Sequence, residues 1–226
     1  MNGLPNSRWS EISPMRHVAL SLVAVALSAC SALGPTATPA TAFYSLDSKE
    51  KPARVATPVT TAGPTMTLLI NRPHAAAGFD SSRIIYLREP HKLDYFSLSQ
   101  WVDPPARMLG PLLTSAIEQT GAFRAVVLMP GAAAGEVRLD TDIIRLQHEF
   151  QAHPSQVRFT LRATLVNDRT REVLAWQEFE AVAPANSEDA YGGVLAANRA
   201  VKTVVNELAV FVAAKAAAAK TEPTIP

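Results

Sequence analysis

The chain has 226 residues, 48% of them hydrophobic, with 21 basic against 20 acidic side chains and a formal net charge of +1. That balance excludes the basic footprint of a nucleic-acid binder and the polybasic support that holds a protein on an anionic leaflet. One cysteine excludes a disulfide framework, and the length suits one domain with tails and a sizeable core.

Met15, Arg16 and His17 make a short positive start, followed by an apolar run from Val18 to Leu27 broken only by Ser21, and then by small residues up to Cys30. Charged, apolar and small residues in that order are the layout of an export signal, expected over residues 1–29. Residues 1–14 read as an upstream extension, with Met15 as the start. The apolar run is roughly half the ~20 residues a membrane-spanning helix needs. Leu27-Ser28-Ala29-Cys30 resembles the lipobox of bacterial lipoproteins. The resemblance implies cleavage before Cys30, a diacylglycerol on its thiol and an acylated new amino terminus, with palmitate as the fatty acid to look for. More than one acyl chain gives stable anchoring. The competing reading, a buried thiol, fits poorly with a cysteine set between the apolar run and a Thr/Ala/Pro-rich stretch. Ser31 follows Cys30 where an aspartate would resemble an inner-membrane retention signal, so the resemblance implies the periplasmic face of the outer membrane of a Gram-negative bacterium. Loss of residues 1–29 removes Arg8, Arg16 and Glu11, which leaves the side-chain charge balanced. Anchoring then falls to the lipid, and no free thiol remains.

Residues 30–65 read as the lipidated cysteine and a tether, because Pro35, Pro39, Pro52, Pro58 and Pro64 stand among Thr and Ala. About 35 such residues have a root-mean-square reach of about 30–35 Å. The exception is Phe43-Tyr44-Ser45-Leu46, a strand-like patch suited to dock on a domain edge. The domain is expected over 66–215, with a frayed tail over 216–226. Met66 to Ile70 predicts a strand, as does the β-branched and aromatic Ile84-Ile85-Tyr86-Leu87. Leu93 to Ser97 is expected to pair with the latter through a turn at Pro90-His91-Lys92. Asp103 as cap and Pro104 at the first helical position predict a helix start. Met108, Leu109, Leu112, Leu113, Ala116 and Ile117 form its apolar face, and Gly121 closes it. Phe123 to Leu128 resumes a strand pattern.

Val137, Leu139, Thr141 and Ile143 alternate with polar residues. The period then shifts at Ile143-Ile144, which predicts a bulge, and continues through Leu146, His148 and Phe150. Val157 to Leu165 alternates again, Asn167-Asp168-Arg169-Thr170 is turn chemistry, and Val173 to Val182 is the partner strand. Arg158 and Arg162 are placed to face Glu178 or Glu180 across that hairpin. A last helix is expected from Asn186-Ser187-Glu188-Asp189, with a cap and an acidic first turn. Its apolar side runs from Tyr191 through Val194, Leu195, Val201, Val204, Val205, Leu208 and Phe211 to Val212. The fold class is α/β in the α+β sense: a single two-layer domain, a mostly antiparallel or mixed sheet with two amphipathic helices on one face.

No catalytic constellation emerges. His74, His91, His148 and His153 lack metal-ligand spacing; His148 and His153 are five residues apart, which is not the HExxH pattern. The bland reading for each is a loop or strand-edge histidine. The serines lack a glycine-flanked elbow. Gly192-Gly193 sits in a helical pattern and reads as close helix packing, not a phosphate loop. Asp140 and Asp142 share one strand face, which the polar outer side of a sheet explains. Trp101 beside Asp103-Pro104-Pro105 is either a packing group, as its large apolar surface favours, or a partner-binding anchor. Tyr95 and Phe96 join it as the candidate partner-binding residues.

Phe43-Tyr44-Ser45-Leu46, then Gly78-Phe79-Asp80-Ser81-Ser82-Arg83-Ile84-Ile85-Tyr86, Leu93-Asp94-Tyr95-Phe96 and Trp101-Val102-Asp103-Pro104-Pro105-Ala106-Arg107-Met108-Leu109 resemble the ABC-type transport auxiliary lipoproteins, the PqiC-like family. The resemblance covers about 43 to 212. It implies a non-enzymatic periplasmic domain without a cofactor, working with an MCE-domain protein and ABC transporter components in lipid transport between the membranes. Cys30 alone carries over as a functional position, the lipidation site. Homo-oligomerisation is left open. The rival classes are a lipoprotein that itself carries a phospholipid or other apolar ligand, and a periplasmic hydrolase.

Overall fold

A long strand organises the molecule because its sequence supplies two inward registers. The computed structural model describes residues 39–47 and 65–221; the export signal and Cys30 lie outside them. The described elements run β1 (Ala42–Tyr44), β2 (Thr67–Ile70), β3 (His74–Ala75), β4 (Arg83–Leu87), β5 (Asp94–Trp101), α1 (Pro105–Gln119), β6 (Ala125–Leu128), β7 (Val137–Glu149), β8 (Gln156–Asn167), β9 (Val173–Pro184) and α2 (Ala190–Thr221). All fall in one compact unit, Thr41–Pro226.

β7 pairs along its whole length with β8, antiparallel, and β8 with β9 in the same way. The other edge of β7 takes three strands in succession, all parallel: β2 at Leu68↔Val137, β3 at Ala75↔Ile143 and β4 at Tyr86↔His148. β6 extends the sheet beyond β2, and β5 and then β1 extend it beyond β4. The sheet is therefore mixed. The expected antiparallel character holds for β4–β5 and β7–β8–β9, while β1, β2, β3, β4 and β6 also enter parallel pairings. The predicted bulge is present: Ile143 pairs with Leu161 and Arg145 with Thr160, leaving Ile144 without an opposite residue. An extra residue exchanges the two faces. Val137, Leu139 and Ile143 point into the core before it, Leu146 and His148 after it.

Both helices contribute to the one core. Leu109, Leu113 and Ile117 of α1 and Val201, Val204, Leu208 and Val212 of α2 join Leu139, Phe159, Leu161 and Leu165 of the sheet. Phe179 and Phe211 meet edge to face with centroids 5.6 Å apart. α1 begins one residue later than expected. Pro104 is the N-cap, at φ −50° and ψ 135°, and no side chain caps the helix. Pro105 causes the shift, because a proline disfavours the helical conformation in the residue before it. Asp103 instead pairs with Arg107 at 3.3 Å. Gly121, at φ 65°, ends the helix as predicted.

α2 is capped by Asp189, whose carboxylate accepts the Gly192 N–H at 2.7 Å. Its first turn holds no acidic residue, since Glu188 precedes the cap. Tyr191 is exposed, and Ala196, Ala197 and Ala200 are buried in the contact face. The helix continues to Thr221, past the boundary expected at 215, and Ala216 is buried. A run of alanines has the highest helix propensity available, and one face of it still packs.

The other boundary also moves. β1 lies parallel to β5 with Tyr44 opposite Trp101, and Leu46 is 5% exposed within the core. Asn198 of α2 accepts the Asp47 N–H at 2.9 Å and donates to the Ser45 carbonyl at 3.2 Å. Residues 41–47, set within the 30–65 segment, belong to the folded unit, and the Phe43–Leu46 patch docks on the domain edge as expected because Tyr44 and Leu46 have apolar surface to bury. Leu46→Ala is expected to destabilise the protein by about 2–4 kcal/mol, read as a lower denaturant midpoint. An unchanged midpoint would detach β1 from the core.

Candidate functional site

The sequence-selected aromatic residues divide. Trp101 is 3% exposed and packs in the core, so it offers no surface to a partner. Phe96 is half-buried against Tyr86, with centroids 4.7 Å apart. Tyr95 is on the surface under the Arg83 guanidinium, 4.2 Å from its ring centre. Cys30 lies outside the described residues.

Sequence reasoning missed a second cluster, where β7, the loop before β8 and the start of α2 converge. His148, expected at a loop or strand edge, is in the central strand and 2% exposed. The bulge turns it inward, and the apolar alternation through Leu146 and Phe150 was the available signal. Its Nε2 is 2.8 Å from the Ser155 hydroxyl, and Ser155 is fully buried. The Ser155 N–H donates to Glu188 at 2.9 Å, and the Ala185 N–H to the Ser155 carbonyl at 2.7 Å. Phe150 lies against the His148 ring at 4.2 Å, and Arg88 covers Phe150 at 4.6 Å. A Cβ on Gly193 would stand 2.6 Å from His148 Nδ1, and one on Gly192 2.2 Å from the Ser187 carbonyl. The two glycines therefore allow close packing, as the sequence predicted.

Burial holds the His148 imidazole below the usual histidine range; Glu188 and Asp189 pull the other way, and Arg88 adds to the lowering. The Ser155 N–H lowers the Glu188 carboxyl, and the Gly192 N–H and Ser187 hydroxyl lower Asp189. A serine on a histidine nitrogen is the start of a nucleophilic pair. Here Ser155 is sealed, Nδ1 has no hydrogen-bond partner, and the adjoining cavity is about 10 Å³, scarcely the size of one water. The arrangement fastens the start of α2 to the sheet. Among the described residues no group of three or more His, Cys, Asp or Glu could hold a metal ion.

The outer sheet face is a ladder of charges. Glu149 is pushed up by burial, but hydrogen bonds from Arg158, Gln147 and Gln156 outweigh this and hold it below its ordinary range. Arg158 also reaches Glu180, which accepts the Thr160 hydroxyl at 2.8 Å. Arg162 pairs with Glu178 at 3.2 Å, as predicted. Asp140 accepts from Asn71 and Arg138, and Asp142 is exposed, so the two carboxylates form no joint site. An open groove of about 510 Å³ lies between α1 and the end of β6. Arg72 and Arg107 line it together with Pro73, Pro111, Leu128 and Met129. No helix among the described residues is long and apolar enough to cross a membrane.

A mixed sheet covered on one face by two helices, with a sealed polar fastening between the sheet and the second helix, defines a small α+β domain. The chain belongs to the ABC-type transport auxiliary lipoprotein component family, whose sequence profile matches residues 44–209. Protein XCC0632 from Xanthomonas campestris is similar in structure, with a TM-score of 0.70 and 22% identity over 80% of this chain and 100% of that one. An uncharacterized protein shares the fold at a TM-score of 0.58 and 9% identity, over 76% of this chain and 99% of its own. No curated protein matches the sequence.

A histidine whose folded pKa lies below its unfolded value is protonated first in the unfolded chain. Stability therefore falls as pH drops below about 6.5, the unfolded value, and levels off below the folded pKa. The lowered carboxylates act in the same sense only below about 4.5. His148→Phe keeps a ring in the aromatic cluster and removes the titration. Denaturant unfolding between pH 6.5 and 5 should give a flatter stability profile for this variant than for the wild type; equal slopes would dismiss the role given to His148.

Proposed function

We propose that this protein is a non-catalytic auxiliary component of an envelope lipid-transport system, anchored through acylated Cys30 in the periplasmic leaflet of the outer membrane. Its domain docks the machinery of an MCE-domain protein and its ABC transporter. The observation that carries this reading is the union, in one chain, of Leu27-Ser28-Ala29-Cys30 with a transport auxiliary domain matched from residue 44. The sealed Ser155–His148 pair supports a holding role over a chemical one. Radiolabelled palmitate should enter the wild-type protein and not Cys30→Ala, and the variant should leave the envelope fraction. The wild type should co-purify with the MCE partner after mild detergent extraction. A wild type that takes up no palmitate, or that never retains the partner, defeats the reading.

A second reading, direct binding of an amphiphile, is favoured by the groove. About 510 Å³ lined by Arg72 and Arg107 together with Pro73, Pro111, Leu128 and Met129 suits an anionic head on an apolar body. Native mass spectrometry of the gently extracted protein should then show a bound phospholipid that Arg72→Ala weakens; an empty wild-type protein rules this out.

A further inference from the structure

We propose that the outer face of the β1–β5–β4 edge rests on the lipid surface of the leaflet that holds the Cys30 acyl chains. The proposal deepens the anchoring reading above and rests on it. Phe43, Gln100 and Arg83 stand side by side across three strands. One residue along, Tyr44 and Trp101 turn to the opposite side and into the core, so Phe43 and Gln100 face outward. The pairing shifts register between Arg83↔Gln100 and Ile85↔Tyr95, which brings Tyr95 to the same side as Arg83, and Leu98 lies in the shifted stretch between Tyr95 and Gln100. Phe43 is 62% exposed, Tyr95 49% and Leu98 45%. Arg83 stacks over Tyr95 and has no carboxylate partner among the described residues.

The length of chain outside the folded unit selects the occupant. Residues 31–41 are all that separate Cys30 from β1. Even fully extended they span at most about 40 Å, far less than a 35-residue tether would. The chain therefore enters the fold at its edge strand, within a short leash of the bilayer. Aromatic rings with a guanidinium beside them are the side chains that settle at the headgroup level, rings toward the acyl chains and charge toward phosphate. So few residues are too small a patch for a stable protein interface, which takes about 20–30 residues a side. A membrane contact needs no affinity of its own when acyl chains already hold the protein there.

The test uses the acylated full chain, because acylation consumes its one cysteine and an introduced thiol is then labelled alone. Tyr95→Cys, Leu98→Cys and, on β9, Trp176→Cys are each labelled with bimane. They are reconstituted into vesicles of phosphatidylethanolamine and phosphatidylglycerol with brominated acyl chains. Bimane at 95 and 98 should lose about half its emission or more, as expected for a face seated some 5–10 Å into the headgroup boundary, while bimane at 176 stays unquenched. Vesicles that carry the protein but leave 95 and 98 as bright as 176 overturn the proposal and leave the lipid anchor standing. Protein that fails to float with the vesicles removes the anchor and the proposal together. Shielding of 95 and 98 in detergent that grows with protein concentration assigns the face to a second copy. Shielding only after an MCE partner is added assigns it to that protein. Either result also overturns the proposal.

Discussion

β7 carries strands on both edges, and one of its residues, Ile144, is surplus to its ladder with β8. A straight strand this long would carry one alternation from end to end. The bulge exchanges the faces, so the first half of β7 sends Val137, Leu139 and Ile143 into the core and the second half sends Leu146 and His148. β2, β3 and β4 then dock one after another along its free edge, each parallel and each short. None of those strands is long enough to define a sheet alone. Their register is inherited from β7, and through β4 it is passed to β5 and β1.

The same shift explains why a polar group is buried at the centre of the domain. After the bulge an inward position falls at 148, where the sequence has a histidine. Its two nitrogens meet different surroundings: a serine hydroxyl at Nε2, and at Nδ1 the bare backbone of a helix that carries glycine at the point of approach. The aromatic rings of Phe96 and Phe150 exclude water from it, which keeps the imidazole neutral. Glu188 and Asp189 have backbone partners of their own, so their charge is already engaged in fixing the Ser155 loop and the start of α2. Burial therefore outweighs their pull on His148. The outer face follows the opposite rule. Its charges stay near solvent and are matched across strands, where such pairs set register more than they add stability.

Much of the architecture was legible where the signal is local. The β7–β8–β9 meander showed as alternation with a turn at Asn167–Thr170, the bulge as a slip in that alternation, and α1 as an apolar stripe ended by Gly121. The two glycines of α2 were read correctly as packing residues. Parallel pairing left no comparable trace, because β2, β3 and β4 meet β7 across long stretches of chain and nothing near them names the partner. The helix start at Pro105 instead of Pro104 turns on the conformation one proline imposes on another. The fastening of His148 to Ser155 was invisible, since Ser155 has no motif around it and becomes notable only when its loop closes over the strand. Trp101 shows the ambiguity of a single aromatic: the sequence allowed core or anchor, and the structure places it in the core.

The sheet order also gives the domain a direction. From β1 through β5, β4, β7 and β8 to β9 there are five interstrand steps, about 24 Å at the usual strand spacing. The chain enters at the β1 end. β9 is therefore the strand farthest along the sheet from the point of entry. Among the described residues β9 pairs with β8 alone, so its outer edge has no strand partner there, beside an exposed Trp176 and Val182. An open edge of that kind invites any strand with matching surface. The ladder beside it is already matched, with Glu178 and Glu180 engaged by Arg162 and Arg158. The continuous hydrogen-bonded sheet fixes the distance between its two ends.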